Sequence, residues 1–311
     1  VSLTILTLGL SPAIQKTIVF PDFEYGEVNR AQSYIIDAAG KSVNVARVLH
    51  QAGCRVQAMF PAGSENAGYF AQLCRRDGLE PAMVEYPGRI RTCITLVNRR
   101  DGEGTELVVN EPEGFPAEGE QEFFQAVLGR LDQGFDALIV SGSRPKGFSE
   151  TLLPEIIHQA RKRNIFVAAD ITGTDLSASC LDTDLRPDLI KINDRELAAT
   201  FPDRGSLEQT IADLSVQYNT LVVISRGSRS TLAAQEGSVL EVPSRVVPAV
   251  NPIGCGDSMT AGITQGLLER QGLYPSIELG IRYAAANAVS LHPGWILETV
   301  ESPQNNTTST K

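Results

Sequence analysis

The chain has 311 residues, 42% of them hydrophobic, with 27 Lys and Arg against 37 Asp and Glu and a formal net charge of −10. That length suits one large α/β domain with a sizeable buried core. The charge argues against nucleic acid or an anionic membrane as main partner, since both need basic faces, and leaves phosphate binding to local cations and backbone amides. The five cysteines (Cys54, Cys74, Cys93, Cys180, Cys255) are scattered, odd in number and form no C-x-x-C, a pattern that suits reduced thiols and a cytoplasmic location. No apolar run approaches the roughly 20 residues of a bilayer span, and the N-terminus lacks a signal-peptide pattern.

In chain order, Thr17 to Phe20 and Ser33 to Ile36 read as strands with no helix between them. Val45 to Ala52 reads as a helix, Val56 to Phe60 as a short strand and Ala67 to Arg76 as a helix. Thr92 to Val97 and Thr105 to Val109 are β-prone runs joined by a Gly-containing turn, a hairpin signal. Ala137 to Val140 reads as a buried strand, Ser149 as a cap for a helix over Thr151 to Arg163, and Ile165 to Ala169 as the next strand. Leu189 to Ile192 and Leu221 to Ser225 repeat the strand theme, and Ser258 to Arg270 is helical. The alternation predicts a mostly parallel sheet with helices on both faces, whose ligands gather beyond the carboxyl ends of the strands. The β-rich stretches break that alternation and read as a small lid formed from about 11–37 and 88–114. Residues 301–311 are polar and read as a loose tail.

Four segments carry chemistry. Ala38-Ala-Gly-Lys41-Ser42 invites a P-loop reading, but that pattern needs glycine at position 35, which is Ile35. Ser141-Gly-Ser-Arg144 follows a strand and offers a hydroxyl at its end. Lys191-Ile-Asn193-Asp-Arg-Glu196 has the spacing of a capping box as well as of a polar site at a strand end. In Asn251-Pro-Ile-Gly254-Cys255-Gly256-Asp257-Ser258, two glycines free the backbone to present N–H groups at a helix N-terminus, where an anion is favoured. Asp257 there is either an ordinary N-cap or a base that takes a proton from a hydroxyl attacking a phosphate. The histidines His50, His158 and His292 show no partner spacing and read as surface or packing residues.

The run from Asn251 to Gly262 resembles the C-terminal signature of the ribokinase-like carbohydrate kinases, the phosphofructokinase-B family. Asp37 to Leu49 resembles the N-terminal signature of that family, Lys191 to Leu197 its K-P-N-x-x-E-L, and Arg91-Thr92 with Asn110-Glu-Pro112 its segment for phosphorylated sugars. The resemblance sets the expectations for fold, reaction and site, with two readings of other classes beside them. The fold is α/β, a ribokinase-like three-layer domain over 1–300 with a mostly parallel central sheet and a small β-rich lid. The reaction is ATP-dependent and Mg²⁺-requiring phosphorylation of a ketohexose phosphate, fructose 1-phosphate first, with tagatose 6-phosphate or fructose 6-phosphate as alternatives. A sugar-phosphate-binding regulator without catalysis, or a P-loop switch resting on Lys41, are readings of other classes. Asp257 is the general base, Gly254, Cys255 and Gly256 form the anion hole, and Gln15, Arg30, Gly40, Lys41, Asn44, Arg91 and Ser141 bind substrate. Lys191, Asn193, Ser225, Gly227 and Asn287 bind nucleotide, Glu196 holds Mg²⁺ through water, and the partners are ATP, the sugar phosphate and a second copy in a homodimer, with no nucleic acid or membrane. Gln15 stands where the family usually places an aspartate, and Ser42 replaces a usual glycine.

Overall fold

The computed structural model describes residues 2–102, 104–108, 117–202 and 204–297. Strand β1 (Thr4–Leu8) is followed by β2 (Ala13–Phe20) and β3 (Ser33–Ala39), then by α1 (Lys41–Gln51), β4 (Arg55–Gly63), α2 (Ala67–Arg76) and β5 (Ala82–Tyr86). β6 (Arg91–Asn98) and β7 (Gly104–Val108) precede α3 (Ala117–Leu131), β8 (Ala137–Ser141), α4 (Leu152–Lys162) and β9 (Phe166–Asp170). Next come α5 (Gly173–Ser179), β10 (Leu189–Asn193), α6 (Asp194–Thr200), α7 (Leu207–Gln217) and β11 (Leu221–Ser225). β12 (Thr231–Gln235), β13 (Ser238–Val242), α8 (Cys255–Leu268) and α9 (Leu273–Ala288) complete the order.

The larger sheet runs β13-β12-β11-β10-β9-β8-β1-β4-β5, parallel throughout except that β12 pairs antiparallel with both β11 and β13. Alternate residues of each strand feed opposite faces. Leu6 and Leu8 pack with Phe123, Ile156 and Ile211 on one side, whereas Ile5 packs with Val45, Ile263 and Ile277 on the other. The result is three layers: α1, α8 and α9 on one face, and α3, α4 and α7 among the helices of the other. Strand order reverses between β1 and β8, the crevice where open α/β sheets collect ligands. Among the described residues, no helix is long and apolar enough to cross a membrane.

The smaller sheet, in the order β3-β2-β6-β7, is the expected lid. Its strands are longer than expected, because β2 begins at Ala13 and β3 continues to Ala39, carrying Gln15 and Asp37 into the pairing. Val109, the Asn110 to Pro112 segment, residues 298–300 and the 301–311 tail lie outside the described residues.

Two local expectations are corrected. Ser149 does not cap α4; the N-cap position is Thr151, without a side-chain cap bond, and the Ser149 hydroxyl and amide both donate to Glu120, the amide at 2.6 Å. Helix α8 starts at Cys255, three residues before the expected Ser258. Gly254 takes the N-cap position in the left-handed region (φ 87°), so Asp257 occupies the third helical position and is not an N-cap.

Candidate active site

A cleft of about 610 Å³ opens beyond the carboxyl ends of the central strands, with the lid as one wall. The N-terminus of α8 forms its floor. The first intrahelical bond runs from the Ser258 N–H to the Gly254 carbonyl at 2.8 Å, so the amides of Gly256 and Asp257 precede the helical ladder and are free to meet an anion. A Cβ on Gly256 would lie 3.0 Å from Lys191 Nζ, which places that ammonium against the same turn. A Cβ on Gly254 would meet the Gly294 nitrogen at 2.8 Å and Asn287 Oδ1 at 2.9 Å, so close packing as well as positive φ demands glycine there.

Asp257 is almost fully buried and lines the cleft. Its Oδ2 accepts from Asn44 Nδ2 at 2.8 Å. Burial, and then the neighbouring Asp170 charge, push its carboxyl up to about 6, while Lys41, Asn44 and Lys191 work in the opposite direction. Asp170, at the end of β9, takes Lys41 Nζ at 3.1 Å and Lys191 Nζ at 3.8 Å and accepts from the Thr260 hydroxyl. Burial alone would raise its carboxyl, but Lys191 and Lys41 prevail and hold it below the usual range. Burial likewise opposes the Lys41 charge, yet Asp170, Asp257 and Glu196 (Oε1 at 3.5 Å) keep that lysine protonated above the ordinary lysine range. Gly40, at φ 111° and packed against Pro12, turns the chain from β3 into α1 and delivers Lys41 to this cluster.

The lid wall carries Gln15, Arg91, Cys93 and Glu106. Gln15 Nε2 donates to Thr95 Oγ1 at 2.8 Å, so its carbonyl oxygen is the polar atom left for a ligand. Arg91 sits at the start of β6, and its Nε is buried without a hydrogen-bond partner among the described residues. An orphaned guanidinium nitrogen on a cleft wall suits an incoming phosphate.

At the other end, Asn193 and Ser225 are register partners at the tips of β10 and β11, and both line the cleft with Gly227 and Glu196. The capping box is real. Asn193 Oδ1 accepts from the Glu196 N–H at 2.8 Å, and Glu196 Oε2 accepts from the Asn193 N–H at 2.9 Å. Both residues are therefore held rigidly at the mouth of the cleft. Among the described residues no group of three or more His, Cys, Asp or Glu could hold a metal alone. A single carboxylate, Glu196 with Oε1 toward the cleft lysine, fits a magnesium ion bound mostly by phosphates and water.

Several expected site residues are placed differently. Arg30 is exposed on the loop between β2 and β3 and is not among the cleft residues. Ser141 is buried at the end of β8, its hydroxyl without a hydrogen-bond partner among the described residues, and it does not line the cleft. Asn44 lines the cleft as expected, but its side chain is engaged by Asp257 and Arg47 and not by its own backbone. Asn287 is fully buried and donates to Ile253 O at 2.8 Å while its Oδ1 accepts from the Gly294 N–H, so it braces the anion-hole turn; its helix reaches the cleft through Ala284. Ser42 packs under Gly9, and Arg144 is spent on Asp175 and the Phe148 carbonyl. The thiol of Cys255 is raised by burial, although Asn287 pulls the other way, so it lacks the thiolate character a helix N-terminus alone would give. His292 is bonded through Nδ1 to Asp37 at 3.0 Å, which ties the base of the lid to the segment after α9. Asp170 and Arg47 were not among the expected site residues; the signals for them were a strand ending at Asp170 and the place of Arg47 within the Asp37 to Leu49 run.

Phosphofructokinase-2 from Escherichia coli in complex with fructose-6-phosphate superposes with a TM-score of 0.80 at 24% identity, over 92% of this chain and 94% of that one. A possible 1-phosphofructokinase from Thermotoga maritima gives 0.82 at 20% identity over 93% of each chain. A candidate ribokinase from Agrobacterium tumefaciens gives 0.75 at 15% identity over 94% of each. These likenesses establish the ribokinase-like fold. The pfkB family carbohydrate kinase model matches residues 10–294. Carbohydrate kinases of this family use ATP and a divalent metal. With a match over nearly the whole described chain and a polar cleft at the carboxyl ends of β9, β10 and β11, the protein belongs to the pfkB family of carbohydrate kinases and is a phosphotransferase acting on a hydroxyl group of a sugar.

Proposed function

We propose that the enzyme transfers the γ-phosphoryl group of ATP to a hydroxyl of a ketohexose phosphate, with fructose 1-phosphate giving fructose 1,6-bisphosphate as the leading reaction. The observation that carries this reading is the Asp257 carboxylate, raised by burial and set one residue after the open amide of Gly256. In the proposed mechanism the acceptor hydroxyl lies against Asp257, which takes its proton as the oxygen attacks phosphorus. Charge on the transferring group is absorbed by the Gly256 and Asp257 amides and by Lys191 and Lys41, all fixed before the reaction. Arg91 holds the phosphate already on the sugar, and Gln15 accepts from one of its hydroxyls. Asn193, Ser225 and Gly227 flank the nucleotide, with Glu196 facing its metal through water. Bound Mg²⁺ neutralises phosphate charge. Tagatose 6-phosphate and fructose 6-phosphate are the alternatives, since a neutral amide at position 15 fits more than one hydroxyl arrangement.

A cytoplasmic homodimer completes the proposal. The lid face opposite Gln15 presents Ile18, Tyr34, Ile36, Ile94, Leu96 and Leu107, none of them fully buried, as an apolar surface for a second copy. Light scattering on the purified protein tests that part. For the chemistry, the test is ADP release with fructose 1-phosphate, tagatose 6-phosphate, fructose 6-phosphate and unphosphorylated fructose. ADP formed with a phosphosugar far faster than with fructose supports the reading; equal use of fructose, or no turnover with any, contradicts it.

A further inference from the structure

A buried arginine that lines no part of the cleft reaches its base in two steps. Arg47, in the second turn of α1, is among the largest fully buried side chains. Its Nη1 donates to Asn44 Oδ1 at 3.2 Å and to the Pro293 carbonyl at 2.7 Å, its Nη2 to the Ala38 carbonyl, and its Nε to Asp77 Oδ2 at 2.9 Å. Asn44 Nδ2 in turn donates to Asp257 Oδ2 at 2.8 Å. A guanidinium has only donors and a carboxylate only acceptors, so these two neighbours together leave the Asn44 amide one orientation.

We infer that Arg47 is a positioning residue for phosphoryl transfer: it holds the Asn44 amide so that its NH₂ group aims the Asp257 carboxylate at the acceptor hydroxyl. This rests on the assignment of Asp257 as base. Arg47 also ties together the end of β3, the C-terminus of α2 and the 293–294 turn. The turn is pressed onto α1 so closely that a Cβ on Gly294 would lie 2.8 Å from the Asn44 carbonyl oxygen. Gly294 N–H bonds Asn287, which braces the Ile253 end of the anion hole. Base and anion hole are thus referred to one rigid turn, and misplacement of either by an ångström is costly to rate.

The groups facing Asp257 are Lys41 and Asn44 from α1, Asp170 from β9 and Lys191 from β10; those facing Arg47 are Asp77 and Cys74 from the α2 end and Asp37 from β3. Loss of the Asn44 donor removes a bond that favours the ionised carboxylate while burial and Asp170 remain, so the pH at which the base is half protonated rises.

The test is a double-mutant cycle with Arg47→Lys, which keeps a cation beside Asp77 but cannot serve four acceptors, and Asn44→Ala. Arg47→Lys is expected to lower kcat about tenfold, to leave both KM values within about twofold, and to move the acid limb of the kcat/KM profile up by roughly half a pH unit or more. On the Asn44→Ala background it should cost nothing further, because both act through the same bond. Should Arg47→Lys not fold, Arg47→Gln with Asp77→Asn, which leaves no unpaired buried charge, replaces it in the cycle. Additive losses, or a normal kcat with an unmoved acid limb, overturn the inference. Full turnover in Asp257→Asn would instead remove the base assignment on which it rests.

Discussion

Lys41 and Asp170, separated by 129 positions in the chain, meet at 3.1 Å in the lining of the cleft, and the other oxygen of the same carboxylate faces Lys191. One buried anion therefore holds both of the ammonium groups nearest the anion hole. It also lies close enough to Asp257 to raise that carboxyl. Asp170 is the electrostatic hinge of the site, setting where two cations rest and when the base is ionised.

Asp170→Asn should accordingly have two separable effects. It leaves Lys191, which is almost fully buried, without its partner, a loss of about 3 kcal/mol for a broken buried pair. It also removes the charge that adds to burial in raising Asp257, so the acid limb of activity should shift to lower pH. Thermal melts and a kcat/KM profile check the two; an acid limb that stays in place would detach Asp170 from the base.

The wild-type pH profile carries its own expectation. Asp257 accepts a proton only when ionised, and its carboxyl is raised to about 6, so kcat/KM should fall as pH drops through that value. The linkage sign is opposite for stability. A carboxyl whose folded pKa lies above its unfolded one destabilises the fold when ionised, so Asp257 costs stability above pH 6 and ceases to do so toward pH 4. Asp257→Asn should therefore melt at a higher temperature than wild type at pH 7.5, by about 1–3 kcal/mol of added stability, with the gain vanishing near pH 4.

Asn287→Ala separates bracing from nucleotide contact. It strips the Ile253 carbonyl and the Gly294 amide of buried partners, at about 1–3 kcal/mol, and loosens the anion-hole turn. Both melting temperature and kcat should fall. A rise in the KM for ATP alone, with stability intact, would mean that Asn287 touches adenine.

Gln15→Asp tests how the sugar is read. In the wild type the amide donates to Thr95 Oγ1 and offers one acceptor to the cleft. A carboxylate offers only acceptors and can receive the Thr95 hydroxyl instead, so relative kcat/KM among fructose 1-phosphate, fructose 6-phosphate and tagatose 6-phosphate should change while KM for ATP does not. Unchanged ratios in a stable variant would show that residue 15 serves the lid fold alone.

Local pattern made α2 and β11 legible to the residue, since amphipathic spacing and a short apolar run decide them without outside help. The start of α8 was not, because it depends on Gly254 adopting a left-handed conformation that packing against Gly294 enforces. The same holds for the site. Lys41, Arg91, Gly254, Gly256 and Asp257 stand on the cleft as their motifs suggest. The partners of Asn44, Arg47 and Asn287 lie in segments that only the fold brings together, Asn44 and Asp257 being 213 positions apart. Arg30 and Ser141 have suitable chemistry, but Arg30 lies exposed on the loop between β2 and β3 and Ser141, at the end of β8, is buried.

The most direct test of the account is the single-turnover rate of Asp257→Asn with the best phosphosugar, measured beside its affinity for ATP. A drop of roughly 10²–10⁴ in rate with nucleotide binding nearly unchanged is the expected result, because the amides, Lys191 and Lys41 remain while proton removal is lost. Phosphoryl transfer at a near wild-type rate in this variant would contradict the assignment of Asp257 as the base.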